Sequence, residues 1–368
     1  MESKQIQNPA IPVTQILLED RIFLMGPPGI GKTEVVRQKA EREAEALGRR
    51  FVDLREDIPG DLFQNPEKYY VYIRIVAPHV FPEDLGVPKH GDGYAEYLPP
   101  KALKVLSLKG ITGIFFIDEL TNVQRDDQLS MYYSLILEKE AGWMLKLAEG
   151  VKVVAAGNPP EWSEATRPLP KPLRNRLTVI NVAPPTVEEW AAYMQRRYGD
   201  GWERLTALYL AAYPEDILKP PEDDFAAFPT PRSWTNTALL LRKYGNAPWE
   251  LKEALAVGNL GGEVGMKFVA LLKTNIDVEE VLKKLEEDPK YFDKLSLNQR
   301  LLVIDAVAQQ SINRLTGPLR GFLAHLASTH REMLVLVTVI MDKEKRTILI
   351  SRLPNLFIKV ADEISRYI

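Results

Sequence analysis

The octapeptide Gly26-Pro27-Pro28-Gly29-Ile30-Gly31-Lys32-Thr33 constrains this chain more than any other feature. It fits G-x-x-x-x-G-K-T, the phosphate-binding P-loop, which belongs between a buried strand and the start of a helix. Both flanks are present. Arg21-Ile22-Phe23-Leu24-Met25 reads as a buried strand running into the loop, and Glu34-Val35-Val36-Arg37-Gln38-Lys39-Ala40 as a helix leaving it. Gly26, Gly29 and Gly31 permit the tight turn that aims successive backbone N–H groups at phosphate oxygens. The dipole at the helix N-terminus favours the same anion. Lys32 would reach the β- and γ-phosphates as a point charge, and Thr33 would offer its hydroxyl to Mg²⁺. The segment Gly26–Thr33 and the adjoining Glu34 are therefore the expected nucleotide-binding residues, with ATP and Mg²⁺ the expected ligands.

Five short apolar runs in the first half read as strands of a covered parallel sheet: Ile22–Met25, Tyr70–Ile75, Ile114–Asp118, Val151–Ala156 and Leu177–Val182. Helical stretches lie between them, which is the α/β pattern. Phe51-Val52-Asp53-Leu54 competes as a further short strand. The third run, Ile114-Phe115-Phe116-Ile117-Asp118-Glu119, ends in two acids at its carboxyl end, where open α/β sheets bind ligands. Asp118 is expected to hold Mg²⁺ through its water shell, and Glu119 to polarise the attacking water as general base. The fourth run ends in Gly157-Asn158-Pro159; an amide there can position water by donating and accepting. Arg174 and Arg176 precede the fifth strand, and a guanidinium reaching a neighbour's γ-phosphate would neutralise developing charge. Pro229-Thr230-Pro231-Arg232-Ser233-Trp234 opens a helix further on, from which Arg232 could point back at nucleotide.

A chain of 368 residues with 45% hydrophobic and 26% charged residues is long enough for two or three domains with real cores. A net charge of −3 advertises no global basic field for nucleic acid. Zero cysteines exclude a disulfide, a thiolate nucleophile and a zinc–thiolate site, and suit a reducing cytoplasm. His79, His90, His325 and His330 form no i, i+4 ligand pair with nearby carboxylates and read as structural or surface residues. The polar start Met1–Ala10 is no signal peptide, and the apolar run Met333–Met341 is too short to span a bilayer. A cytoplasmic protein without a membrane partner is expected. The α/β pattern stops near Ala183. Thr186 and Glu189 have capping-box spacing, and helical periodicity continues to the C-terminus. The expected domains are a nucleotide-binding α/β domain at 1–183, a helical lid at 184–277 and a helical C-terminal module at 278–368.

Taken together, these residues resemble AAA+ ATPases, and within them the MoxR-like group. Gly26–Thr33 looks like Walker A, Phe115–Glu119 like Walker B, and Asn158 in Ala155–Pro159 like sensor 1. Leu173-Arg174-Asn175-Arg176-Leu177 is similar to the arginine-finger segment, with Arg176 favoured over Arg174, and Arg232 looks like sensor 2. Pro82–Pro88 resembles the opening of the helix-two insert, Gly142–Gly150 the pre-sensor-1 hairpin, and Gly262–Gly265 a lid motif. Compared with the family, the segment Leu47–Lys68 reads as an insertion.

The resemblance implies an AAA+ P-loop NTPase core with a five-stranded parallel sheet, an all-helical lid and a helical C-terminal region. It implies a ring of identical subunits, usually a hexamer, with ATP between them and hydrolysis moving pore-facing loops. Gly91–Tyr97 and Gly142–Leu145 are the candidate moving parts. The implied partner is a protein substrate, in this group often one carrying a von Willebrand factor A domain. A nucleic-acid translocase or restriction-type motor on the same core is the alternative; Lys101, Lys104 and Lys109 are its nearest basic stripe. A monomeric P-loop kinase or GTPase would leave Asn158, the arginines and Arg232 unexplained, and no guanine-reading N-K-x-D motif is present.

Overall fold

The fold comes from a computed structural model, which describes residues 9–91, 93–142, 145–162, 166–221, 226–361 and 364. The chain divides into two compact units, Met1–Pro184 and Pro185–Ile368.

The first unit carries the strands. They are β1 (Ile11–Pro12), β2 (Ile22–Met25), β3 (Arg50–Asp53), β4 (Tyr69–Val76), β5 (Val87–His90), β6 (Ala95–Leu98), β7 (Thr112–Asp118), β8 (Glu140–Ala141), β9 (Leu145–Lys146), β10 (Val151–Gly157) and β11 (Thr178–Ala183). Seven of them form one parallel sheet in the order β1-β11-β2-β10-β7-β4-β3. All five expected strands are there, and each edge carries one more, so the sheet has seven strands. The additions are β1 beside β11 and the competing Phe51 strand, β3, beside β4. The stretch Leu47–Lys68 thus widens the sheet.

Burial on both faces explains why these strands are continuous apolar runs. On one face Phe23, Val71, Ile73, Phe115, Ile117, Val151, Val153 and Ala155 pack with Tyr132, Leu135 and Ile136 of α3 (Asp126–Leu137). The opposite residues Leu24, Ile114, Phe116 and Val154 are equally buried. Helix α1 (Lys32–Ala46), whose Val36, Ala40 and Ala44 are buried, packs against β4 and β7. Each large side chain so enclosed contributes about 1.5–3 kcal/mol. Two short helices complete the unit, α2 (Lys101–Leu106) and α4 (Lys171–Arg174).

Two antiparallel hairpins project from this core, β5–β6 and β8–β9. The second is the hairpin expected within Gly142–Gly150, though it begins slightly earlier, at Glu140. The segment Gly91–Tyr97, expected as a loop, is instead a turn at Gly93 leading into the exposed strand β6. Asp92, Trp143 and Met144, parts of the two candidate moving segments, lie outside the described residues.

The second unit is helical: α5 (Val187–Tyr198), α6 (Leu205–Ala212), α7 (Pro231–Lys243), α8 (Trp249–Leu260), α9 (Gly262–Leu272), α10 (Val278–Glu287), α11 (Leu297–Gln309), α12 (Ile312–Thr316), α13 (Arg320–Thr329), α14 (Arg331–Ile340), α15 (Lys343–Arg352) and α16 (Pro354–Phe357). The capping box at Thr186 forms: Glu189 N donates to Thr186 Oγ1 at 3.3 Å and Thr186 N to Glu189 Oε2 at 2.9 Å. One hydrophobic cluster runs from Val187 to Ile364, so the helices expected of a lid and of a C-terminal module share a core. The apolar run Met333–Met341 is largely α14, buried from Leu334 to Ile340. A polar cavity of about 370 Å³ opens in this unit, lined by Asp200, Glu203, Arg204, Arg242, Asp305 and Lys345 among others. Among the described residues, no helix is long and apolar enough to cross a membrane.

Candidate functional site

The P-loop joins β2 to α1 with the geometry its glycines anticipate. Gly29 and Gly31 take φ of 74° and 98°, values that any side chain would strain. Gly26 is tight for a different reason. A Cβ there would lie 2.6 Å from Val182 of β11, and its N–H donates to Gly157 O at 3.2 Å. Ile30 is buried and plugs the loop from beneath, while Pro27, Pro28 and Gly29 are half-buried. Glu34 lies in the first turn of α1 and accepts a hydrogen bond from Gln38 Nε2 at 2.9 Å.

Lys32 is 7% exposed. Its Nζ donates to Gly26 O at 2.7 Å, Pro27 O at 2.8 Å and Asn158 Oδ1 at 3.0 Å. A lysine this enclosed is tolerated because the ammonium is hydrogen-bonded throughout. The contact with Asn158 joins the loop to the tip of β10, 126 residues away in sequence. Asn158 is fixed from behind as well, since its N–H donates to the buried Thr121 Oγ1 at 2.9 Å.

Thr33 Oγ1 donates to Asp118 Oδ2 at 2.7 Å, so the first turn of α1 meets the end of β7. Asp118 is buried and its two oxygens are differently engaged. Oδ1 accepts from Glu119 N at 3.0 Å. Oδ2 also accepts from Arg74, with Nε at 2.9 Å and Nη2 at 2.8 Å. The donors are all oxygen, a hydroxyl beside a carboxylate, which is the set a hard cation such as Mg²⁺ takes. These residues fit that ion.

Glu119 follows directly and adopts the left-handed conformation, φ 59° and ψ 33°. For a non-glycine residue this costs about 1 kcal/mol or more, and such strain concentrates where a side chain must be aimed. Asn122 Nδ2 donates to Glu119 Oε2 at 3.4 Å, and Asn122 Oδ1 is buried without a partner among the described residues.

Lys32, Thr33, Asp118, Glu119 and Asn158 are therefore gathered at the carboxyl end of the sheet around the P-loop. Arg174 and Arg176 are not. Both are exposed beside the buried Leu173 and Leu177, and neither guanidinium has a partner among the described residues. Arg232 belongs to the second unit, in the first turn of α7. That turn is held by Thr230, whose Oγ1 accepts from Ser233 N at 3.1 Å, and by the fully buried Trp234. Arg232 itself is exposed and has no partner among the described residues.

Two participants escaped the sequence reading. Arg74 falls within the apolar run Tyr70–Ile75, now part of β4, where a lone charge near the sheet's carboxyl end is the available signal. Thr121, which anchors Asn158, offers no signal beyond its closeness to the acid pair.

No family model matches the chain, and no curated protein does. Solved structures resemble its fold. NtrX from Brucella abortus is 16% identical over 88% of this chain and 66% of that one, with a TM-score of 0.34. The Aeropyrum pernix ORC2 protein, in its ADPNP-ADP complexes, is 14% identical over 90% of this chain and 88% of that one, with a TM-score of 0.36. The S. cerevisiae Hsp104-ADP complex is 17% identical over 98% of this chain and 48% of that one, with a TM-score of 0.35. The chain spans just under two thirds of the NtrX chain and about half of the Hsp104 chain. Likeness at this level concerns the fold alone, and the chemistry of the site rests on its own residues.

Proposed function

We propose that this protein is an AAA+ ATPase of MoxR-like type, a ring-forming motor that hydrolyses Mg-ATP to remodel or assemble protein complexes. The observation that carries the hydrolytic reading is the convergence of three sequence-distant motifs: Lys32 on Asn158, and Thr33 on Asp118 beside Glu119. The P-loop N–H groups and Lys32 bind and orient the phosphates. Thr33 and Asp118 hold Mg²⁺, which when bound supplies charge neutralisation at the phosphate oxygens. Glu119 takes the proton of the attacking water, and Asn158 orients that water.

Arg176, with Arg174 as the alternative, reaches the site of a neighbouring subunit. Their exposure and lack of a partner among the described residues support this, because a finger acting in trans projects away from its own subunit. Arg232 senses the nucleotide from the helical unit. The assembly is a homo-oligomeric ring, six subunits on the family pattern, and its substrate is a protein, among them von Willebrand factor A domain proteins. The cytoplasm is the proposed location.

The test is Mg-ATP turnover per subunit across a wide dilution series, with a sizing run on the same samples. Turnover that falls as oligomers dissociate supports a site completed by a neighbour's arginine. A monomer with full activity would refute the ring. Turnover stimulated by DNA and lost steeply with salt would move the substrate from protein to nucleic acid.

A further inference from the structure

Asp293 lies more than thirty residues before His325 and His330 in sequence, yet the helical unit brings the three together. His330 Nε2 is 2.9 Å from Asp293 Oδ1, and His325 Nε2 is 3.2 Å from each oxygen of the same carboxylate. One ligand atom from each residue falls within 4.8 Å of the other two. We propose that these three residues form a binding site for a borderline divalent transition metal, of which Zn²⁺ is the probe of choice.

The geometry is close to what such an ion needs. With metal–nitrogen and metal–oxygen bonds of about 2.0–2.2 Å, neighbouring ligand atoms of a tetrahedral site stand about 3.3–3.5 Å apart. Both imidazole–carboxylate separations are already near that edge length, and the third edge is within 4.8 Å, so small side-chain shifts admit the ion. The donor set also selects. Two imidazoles and one carboxylate suit Zn²⁺, Co²⁺ or Ni²⁺, whereas Mg²⁺ and Ca²⁺ prefer oxygen alone. The site is consequently indifferent to the Mg²⁺ that accompanies nucleotide.

The three residues come from supports held independently. Asp293 sits in the 3-10 turn Pro289–Lys294, whose Phe292 is fully buried and packs on Phe322 of α13 at 5.2 Å between ring centres. Arg300 of α11 clamps the turn, donating from Nε to Phe292 O at 3.1 Å and from Nη2 to Asp293 O at 2.6 Å. His325 rides on α13, and His330 sits between α13 and α14 with its ring edge-on to Phe292 at 5.4 Å. The imidazoles are partly sheltered, with side chains 10% and 25% exposed, while Asp293 is 45% exposed. Three protein ligands on an accessible surface leave a fourth position for water or an exogenous donor. A bound ion would tie the 3-10 turn, α13 and α14 together and raise the stability of the unit that carries them.

Zn²⁺ should be titrated calorimetrically into the full, untagged chain without nucleotide or Mg²⁺. One equivalent is expected to bind. His325→Ala and His330→Ala should each weaken binding by at least the ~10–100-fold that losing an outer-shell partner costs a metal site. Asp293→Asn, which keeps an oxygen for both rings and so should fold, is expected to weaken it likewise. His90→Ala and Lys32→Ala should leave it intact, which separates this site from the hairpin histidine and from the P-loop. No stoichiometric binding by the unaltered chain, or full binding retained by the Asp293→Asn variant and either histidine variant, would overturn the assignment.

Discussion

Replacing Asp305 by asparagine should stabilise the helical unit at neutral pH. Asp305 faces the polar cavity from α11. Its Oδ2 accepts from Gln309 Nε2 at 2.6 Å, while Oδ1 is buried with no hydrogen-bond partner among the described residues. Burial, then the nearby Glu203 carboxylate, push its pKa from 3.8 up to about 6 against the pull of Arg204, Gln309 and Arg242. Glu203 is itself raised by burial, so the two acids resist ionising together. Because the folded pKa lies above the unfolded one, the contribution to stability is complete below about pH 4 and is lost as the pH climbs through about 6. A gap of roughly two units is worth about 3 kcal/mol. For a unit of this size that is about 6–12 °C in Tm. Asparagine is nearly isosteric, keeps an oxygen for Gln309 and carries no charge. Its unfolding curve should meet the unaltered protein's near pH 4 and lie above it by that margin from about pH 7 upward. Thermal unfolding followed by tryptophan fluorescence, to which the buried Trp202 lining the same cavity contributes, reads this. Parallel curves across the whole range, or a variant less stable at neutral pH, would refute the reasoning.

Two further expectations concern the nucleotide site. Arg74→Gln removes the guanidinium from Asp118 and leaves that buried carboxylate to Thr33 and one backbone N–H; because Arg74 is partly exposed, the expected loss is about 1–3 kcal/mol, measured by urea denaturation of the unaltered and variant chains. Glu119→Gln keeps the shape of the side chain and removes the base, so it should bind ATP normally and turn it over about 10²–10⁴-fold more slowly; near-normal turnover would take Glu119 out of the chemistry.

The nucleotide site was legible in sequence where a role depends on local order. Glycine spacing, a lysine at a helix start and an acid pair after four apolar residues are all short-range demands, and Lys32, Asp118 and Glu119 answer them. Arg74 was not legible because its role follows from register. Only the parallel pairing of β4 with β7, which sets Arg74 against Phe116 and Val76 against Asp118, brings its side chain to the acid. The edge strand β3 was ambiguous for the same reason, since four residues gain a strand's identity from the neighbour they pair with. The histidine cluster was hidden for a different reason. A search for i, i+4 ligands finds pairs on one helix, whereas His325, His330 and Asp293 meet only after the 3-10 turn docks through Phe292.

An ammonium group has three hydrogens, and Lys32 directs its own at two loop carbonyls and the Asn158 side chain. A phosphate oxygen that claims one of them makes an exchange. The carbonyls belong to backbone restrained by β2 and two prolines, while the Asn158 amide turns about side-chain torsions, so of these three acceptors it is the one most easily released. Affinity for the phosphate then reports a difference between two acceptors rather than the full strength of either. The same exchange ties chemistry to mechanics: an anion that takes a hydrogen from Asn158 frees the amide at the tip of β10, one of the links, with Gly26 on Gly157 and Thr33 on Asp118, through which the loop touches the sheet.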